Sequence, residues 1–543
     1  MSHNKILTLA VAFCLLESGN ALGAYQASNS NLEDAVKSLA AQTQSLEKEV
    51  STLKSELRHA QANPSKTVIV KQQQPVATTS TTSTPGTVNT STLVPYVKGS
   101  ILTPEQESIQ EQEEDINYLI GSTVLSSPIL NIHSAYDASD LIVNQSSMNE
   151  DLRFLMQRET LRKVIGDRAL IPSSYRPRVF LSGKVEGQFN YMDLFGGPYQ
   201  NSIDLSSVEL DVLAEAGPWA YGFMSINFDG SSLSNPATVG SGNPINNSRL
   251  FLKRGFVTIG NLQHSPVYFS IGQMYVPFGT YSSYMLDNPV TLSAGRIDAR
   301  AALLGFYHDG LYLSTYALNG AVNTEEGFSA NHVYEWGYNA GYKWASQTGR
   351  VKTDIGFGGI NNIAEAQGYQ LNGLGNPYFR GFAQSTITEN LEHPVGGFDT
   401  HASATLGPWT LIGEYLQATR SFAEGDLAFN DHGAKPQALH LEVDYTFNTF
   451  FDKQMALFMA GDHTWQALAL NLPETSAIAG LSTSLWKNTI ETIEYRRDWN
   501  YSDSDSAGGI CVDPNDSSQT TFCPVPVFGA VQNSVIAQIG VYF

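Results

Sequence analysis

From Arg176 to Phe543 the chain alternates apolar and polar residues with a period of two. The last ten residues, SVIAQIGVYF, show it most plainly. Val535, Ala537, Ile539, Val541 and Phe543 form one row, while Ser534, Gln538 and Gly540 sit in the other with Ile536 and Tyr542. A two-residue period means a strand with one apolar face. PRVFLSGKVEGQFNY repeats the pattern, with Val179, Leu181, Val185, Phe189 and Tyr191 opposed to Ser182, Lys184, Glu186, Gln188 and Asn190. SVELDVLAEAG opposes Val208, Leu210, Val212, Ala214 and Ala216 to Glu209, Asp211 and Glu215. A tight Gly217-Pro218-Trp219 turn follows, then a strand alternating Gly222, Met224, Ile226 and Phe228 with Ser225, Asn227 and Asp229. The same strand–GPW–strand unit recurs at HASATLGPWTLIGEYLQ, around Gly407, Pro408 and Trp409.

Alternation alone suits a soluble sandwich or a transmembrane barrel. Two features favour the barrel. Carboxylates recur on the polar faces beside aromatic-rich strand ends, as a wet lumen between aromatic girdles requires. Turn lengths also differ from rim to rim: some are short, and others are long and polar, such as SSLSNPATVGSGNPINN and the stretch 363–394. Long structureless loops are unusual inside a compact sandwich. Residues 176–543 number 368. At roughly 23 residues per strand and connection that is about sixteen antiparallel strands, wide enough for an aqueous lumen. The expectation is an all-β transmembrane barrel with Phe543 in the girdle at the periplasmic rim, where barrel-insertion machinery is expected to read a terminal aromatic.

Bulk composition agrees. Mean hydropathy is −0.17, and no apolar run after residue 20 is long enough for a membrane helix. Aromatic residues make up 11%. The net charge of −21 repels phosphates and argues against a nucleic-acid partner.

The amino end reads as an export signal over 1–23: Lys5, an apolar run from Ile6 to Leu16, and small residues at Ala21 and Gly23. Cys14 falls within it, which leaves Cys511 and Cys523 as an even pair bracketing the polar loop VDPNDSSQTTF. A loop-closing disulfide is the economical reading in an oxidising compartment. Residues 24–60 carry a heptad: Leu at 32, 39, 46 and 53 alternates with Val36, Thr43, Val50 and Leu57. This predicts an α-helical coiled coil, hence self-association, in the periplasm. Residues 61–98 form a Thr/Ser/Pro-rich linker. Residues 99–175 read as a periplasmic helical segment before the barrel, with Leu152, Leu155, Met156 and Leu161 on one face and no chemistry assigned.

Enzymatic motifs are missing: there is no GxSxG, no HExxH and no phosphate-cradling glycine loop. The histidines are scattered, so no metal or other cofactor is expected. His401, His432, His440 and His463 are read as loop or lumen residues rather than ligands. Within 176–543, 18 basic residues face 34 acidic ones, a net of −16. Carboxylate rings favour cations, so Glu186, Glu209, Asp211 and Glu215 are the lumen and selectivity candidates.

GQMYVPFGTYSSYMLDNPVTLSAGRI (272–297) and YLIGSTVLSSPILNIHSAYDASDLIVNQSSMNEDLRFLMQR (118–158) resemble the LbtU-family siderophore porins, as does the order of signal, coiled coil, linker and barrel. The resemblance implies an outer-membrane barrel that admits an iron-chelating siderophore without the globular plug of energy-coupled receptors. Gly272, Gln273, Pro277, Phe278 and Gly279 are then the pore-loop motif. Pro lacks a ladder donor, so Pro277 marks a strand end or a loop folding into the pore. The expected function is a porin or receptor passing a ferric siderophore or similar small solute into the periplasm, in contact with outer-membrane lipid. The alternatives are a general cation-leaning porin and a structural envelope-tethering or surface protein.

Overall fold

The computed structural model describes residues 117–118, 124–126, 148–157 and 178–543, with breaks at 194–198, 230–248, 326–331, 347–349, 371–378, 380, 383–389, 449–452, 487, 513–519 and 526–530. The expected signal, coiled coil and linker, and most of 99–175, lie outside the described residues.

Sixteen strands form the wall. They are β1 Arg178–Asp193, β2 Tyr199–Ala216, β3 Ala220–Asp229, β4 Arg249–Gly260 and β5 Val267–Tyr275. Next come β6 Asp298–His308, β7 Leu311–Asn319, β8 Val333–Ala345, β9 Val351–Ile360 and β10 Gly397–Leu406. The rest are β11 Trp409–Ala418, β12 Gln437–Asn448, β13 Gln454–Trp465, β14 Thr475–Thr483, β15 Thr489–Trp499 and β16 Val531–Tyr542. Each pairs antiparallel with the next, and β16 pairs antiparallel with β1 from Asn533↔Asp193 to Tyr542↔Lys184, so the barrel is closed and has no free edge. Beyond Tyr542 the short strand Val124–Ser126 runs parallel to β1 at Val179–Leu181 and extends the seam.

The alternation resolves into two walls. Val257, Ile259, Leu304, Ile355, Leu441, Met459, Ile493 and Ile539 point outward and are exposed. All seven tryptophans are exposed by 36% or more and stand at strand ends or in short turns. Trp219, Trp344, Trp409 and Trp486 ring the short-turn rim, and Trp336, Trp465 and Trp499 ring the other. An apolar band between two aromatic rings is a surface solvated by lipid. Phe543 belongs to the short-turn rim. It exchanges backbone hydrogen bonds with Gly183, and its ring occupies the space that a side chain on Gly183 would need. Gly217 and Gly407, in the recurring GPW turns, both have positive φ (+73° and +63°).

Gly272 has a local structural reason. Its φ is +147°, and a Cβ there would lie 2.3 Å from the Gly255 carbonyl oxygen and 2.5 Å from Phe256 Cα, both backbone atoms of β4. Gly272→Ala is therefore expected to part the β4–β5 ladder at a cost of about 1–3 kcal/mol. The check is thermal unfolding in detergent; a wild-type melting temperature would refute the close approach.

Candidate functional site

At the rim of long loops, the connection between β5 and β6 turns inward instead of outward. Most of it is buried: Val276, Phe278, Tyr281, Tyr284, Met285, Val290 and Leu292 are at most 3% exposed. Three inward glutamates on the far wall receive its backbone. Glu414 accepts from Thr280 N (2.7 Å) and Tyr281 N (3.0 Å), Glu442 from Tyr284 N (2.8 Å) and Ser283 Oγ (2.7 Å), and Glu494 from Leu286 N (2.7 Å). Asp287 adds an ion pair to Arg496 at 2.9 Å. Between these polar anchors Tyr284 and Met285 sit in an apolar pocket of Ile412, Phe458 and Ile478. The loop thus crosses the lumen, its orphan N–H groups satisfied by carboxylates as buried backbone requires.

The pore-loop motif forms the root of this crossing. Gln273 Nε2 donates to Lys253 O at 2.9 Å, and Phe278 N donates to Val276 O across Pro277. Gly279 has φ +81°, and a Cβ there would collide with the Tyr281 ring. Phe278 is fully buried beside Gly358, Gly397 and Ile363, positions where wall glycines leave room for its ring.

A second element occupies the lumen. Residues 150–157 form a helix that the sequence assigns to a periplasmic segment; the structure instead seats it against the inner wall of β1–β5. Leu152, Phe154 and Leu155 are buried among Phe180, Leu213, Tyr221, Phe223, Phe256 and Tyr268. Asp151 Oδ2 accepts from Ser270 Oγ at 2.6 Å, and the Asp151 carbonyl accepts from Tyr221 Oη at 2.6 Å. Of the face read from the sequence, Leu152 and Leu155 are buried and Met156 is exposed, Leu161 lies outside the described residues, and the buried Phe154 was missed.

Beneath this helix lie the four acids singled out in the sequence. Glu186, Glu209, Asp211 and Glu215 all point inward and are at most 5% exposed. Arg254 joins three carboxylates: its Nη1 lies 2.6 Å from Glu150 Oε1, its Nη2 hydrogen-bonds Glu209, and Asp211 Oδ1 is 3.8 Å away. Lys184 lies 3.3 Å from Glu186, which also accepts from Tyr542 Oη at 2.8 Å. Glu186, Glu209 and Asp211 thus stand in a packed ion-pair network that joins helix to wall, with Glu215 buried on the same face of β2.

Across the lumen, the register of β10–β15 sets a row of polar side chains along one line of cross-strand pairs. His401 opposes Glu414, Glu414 opposes His440, His440 opposes Asp462, Asp462 opposes Ser476, and Ser476 opposes Asp498. His440 has both ring nitrogens on carboxylates, Asp462 at 2.7 Å and Glu442 at 3.1 Å. His401 Nδ1 lies 3.0 Å from Asp399. Among the described residues, therefore, two histidines do sit among carboxylates, contrary to the sequence expectation of scattered ones. Folding back about Gly407-Pro408 places 401 opposite 414, so a signal was present in the turn. His463 and His432 lie apart, the first hydrogen-bonded to Thr475 and the second in a loop hairpin.

In the loops beyond the wall, burial pushes the Glu365 carboxyl up to about 8; its oxygens accept from Ala321 N and Val322 N at 2.8 and 3.1 Å. Cys511 and Cys523 fall on neighbouring loop strands, Ala507–Val512 and Thr520–Val525, with Cys511 opposite Thr521 and Cys523 opposite Gly509. Their side chains lie outside the described residues.

A closed sixteen-stranded antiparallel barrel, apolar outside and crossed inside by an inward loop, has the architecture of a porin-like channel. The chain belongs to the UPF0422 family. It is 35% identical over 421 residues to a UPF0422 protein of Coxiella burnetii, covering 77% of this chain and 83% of the relative. It is 34% identical over 432 residues to one from Legionella pneumophila, covering 79% and 78%. No protein-family model matches the chain. Among solved structures, it is similar to an anion-selective porin from Comamonas acidovorans at 12% identity and a TM-score of 0.42, over 68% of this chain and all of the porin. It is also similar to the outer-membrane channel DcaP of Acinetobacter baumannii at 13% identity and a TM-score of 0.41, over 69% of this chain and 99% of DcaP.

Proposed function

We propose that this protein is an outer-membrane channel of a Gram-negative bacterium that passes a small solute, of the ferric-siderophore class, into the periplasm. The observation that carries the channel reading is the 276–297 loop, drawn across the lumen of a closed barrel with an apolar outer wall. A loop held there by wall carboxylates sets the width and charge of a passage. The siderophore class rests on the two sequence segments at 118–158 and 272–297. Catalysis has no part in this reading. Self-association runs through the coiled coil at 24–60, and Cys511 pairs with Cys523.

A general cation-leaning porin is the second reading, favoured by the net charge of −16 over 176–543. Glu186, Glu209, Asp211 and Glu215 act on selectivity in both as buried wall charges beneath the 150–157 helix, not as groups touching the passing ion. The protein reconstituted in a planar bilayer is expected to conduct and to prefer cations, and the quadruple amide variant to lose that preference as a shift in reversal potential. No conductance at all would sink both channel readings. Uptake of radiolabelled iron on the organism's own siderophore separates them: loss on deletion, restored by complementation, supports the siderophore class, and unchanged uptake leaves the general porin.

A further inference from the structure

Among the described residues, Asp399, His401 and Glu414 are the set whose imidazole and carboxylate atoms lie within 4.8 Å of one another. All three are buried, at 0%, 4% and 3% exposure. Asp399 and His401 are two apart on β10 and share its inner face, while Glu414 faces His401 from β11. No lysine or arginine among the described residues forms an ion pair with either carboxylate. Two buried carboxylates side by side repel unless a cation or a proton lies between them.

Three further details point to a cation. Asp399 Oδ2 is buried and receives no N–H or hydroxyl donor, while the Asp399 and Glu414 carboxyls lie within hydrogen-bond reach of one another. His401 Nε2 is held by Tyr312 Oη at 3.0 Å, and that hydroxyl donates to Asp354 Oδ1 at 3.0 Å, which fixes the ring with Nδ1 turned toward the carboxylates. Orientation of a ligand imidazole through its other nitrogen is the usual outer support of a metal site. Lastly, Tyr281 of the inward loop is 1% exposed, in electrostatic range of Asp399 and Glu414, with its Oη unpartnered.

We infer that Asp399, His401 and Glu414 bind a divalent first-row transition-metal ion through Asp399 Oδ2, His401 Nδ1 and a Glu414 carboxylate oxygen. One imidazole and two carboxylates suit zinc, with water free to complete a tetrahedron. Because Glu414 also receives Thr280 N and Tyr281 N, the ion fastens the root of the inward loop to β10 and β11. The site is independent of the solute that passes.

The test uses the full-length protein in detergent, stripped with chelator and titrated with zinc alone by calorimetry, with metal content read by mass spectrometry. Wild type is expected to take up about one ion per chain. Asp399→Asn and His401→Ala should each weaken binding by more than about a hundredfold, the upper end of what loss of a supporting group alone costs. His463→Ala, away from the cluster, should bind as wild type does. Heat-modifiable gel mobility shows that each variant is folded. Should Asp399→Asn not fold, cobalt-loaded wild type carries the test: an intense tetrahedral visible band, lost in His401→Ala, supports the site, and a weak octahedral spectrum overturns it. Wild type that binds no zinc, or binds it no better than Asp399→Asn, also overturns it, and Asp399 and Glu414 would then be a carboxyl pair sharing a proton.

Discussion

Replacing Arg254 with methionine should release the 150–157 helix from the wall and widen the passage. The guanidinium joins Glu150 on the helix to Glu209 and Asp211 on β2. Methionine fills a similar volume but leaves those three carboxylates buried without that partner. Removing one member of a buried ion pair costs about 3–5 kcal/mol, because the remaining charge is uncompensated. The system can lower that cost by hydrating the acids, and the route to water is to lift the helix away. The expected signature is thus a lower melting temperature, faster proteolysis around 150–157 and higher single-channel conductance. Glu150→Gln in the same background should recover part of the loss, as coupled neighbours do in a double-mutant cycle. Wild-type proteolysis and conductance in Arg254→Met would show that the apolar face alone holds the helix.

The second large effect is expected at Phe278. Its ring is fully buried in a niche where Gly397 would bring a Cβ within 3.0 Å of it, beside Ile360 and Ile363. Truncating a buried Phe to Ala typically costs 3–5 kcal/mol, the transfer term plus the cavity left behind. The loss here falls on the inward loop and not on the strand ladders, so the barrel should still form. Phe278→Ala is expected to keep heat-modifiable mobility while the open channel becomes noisy, as the loop root samples positions off the wall. A quiet channel with wild-type conductance would mean that Glu414, Glu442 and Glu494 suffice to hold the loop.

Much of the wall was legible in the sequence. The rows of Val208, Leu210 and Val212 against Glu209, Asp211 and Glu215 are the outer and inner faces of β2. The row ending at Phe543 is the outer face of β16. The reading is reliable here because the pleat is local: neighbouring residues point to opposite faces whatever the rest of the chain does. The two GPW turns followed from the same local information, and the strand number from the length of the alternating region.

Other features were not legible because their partners are remote. Glu414 accepts from Thr280, 134 residues away, and Arg254 meets Glu150 across 104. The helix at 150–157 showed only part of its buried face, Leu152 and Leu155, and apolar burial is non-directional and does not name the surface that receives it. Alternation along the strands, together with the recurring carboxylates and the unequal turn lengths, pointed to a barrel with an apolar exterior and an acidic interior. Only closure of that barrel decided that the helix and the 276–297 loop lie inside it. A buried backbone N–H or carboxylate takes whichever partner the fold brings within reach, and only the closed ring brings these within reach.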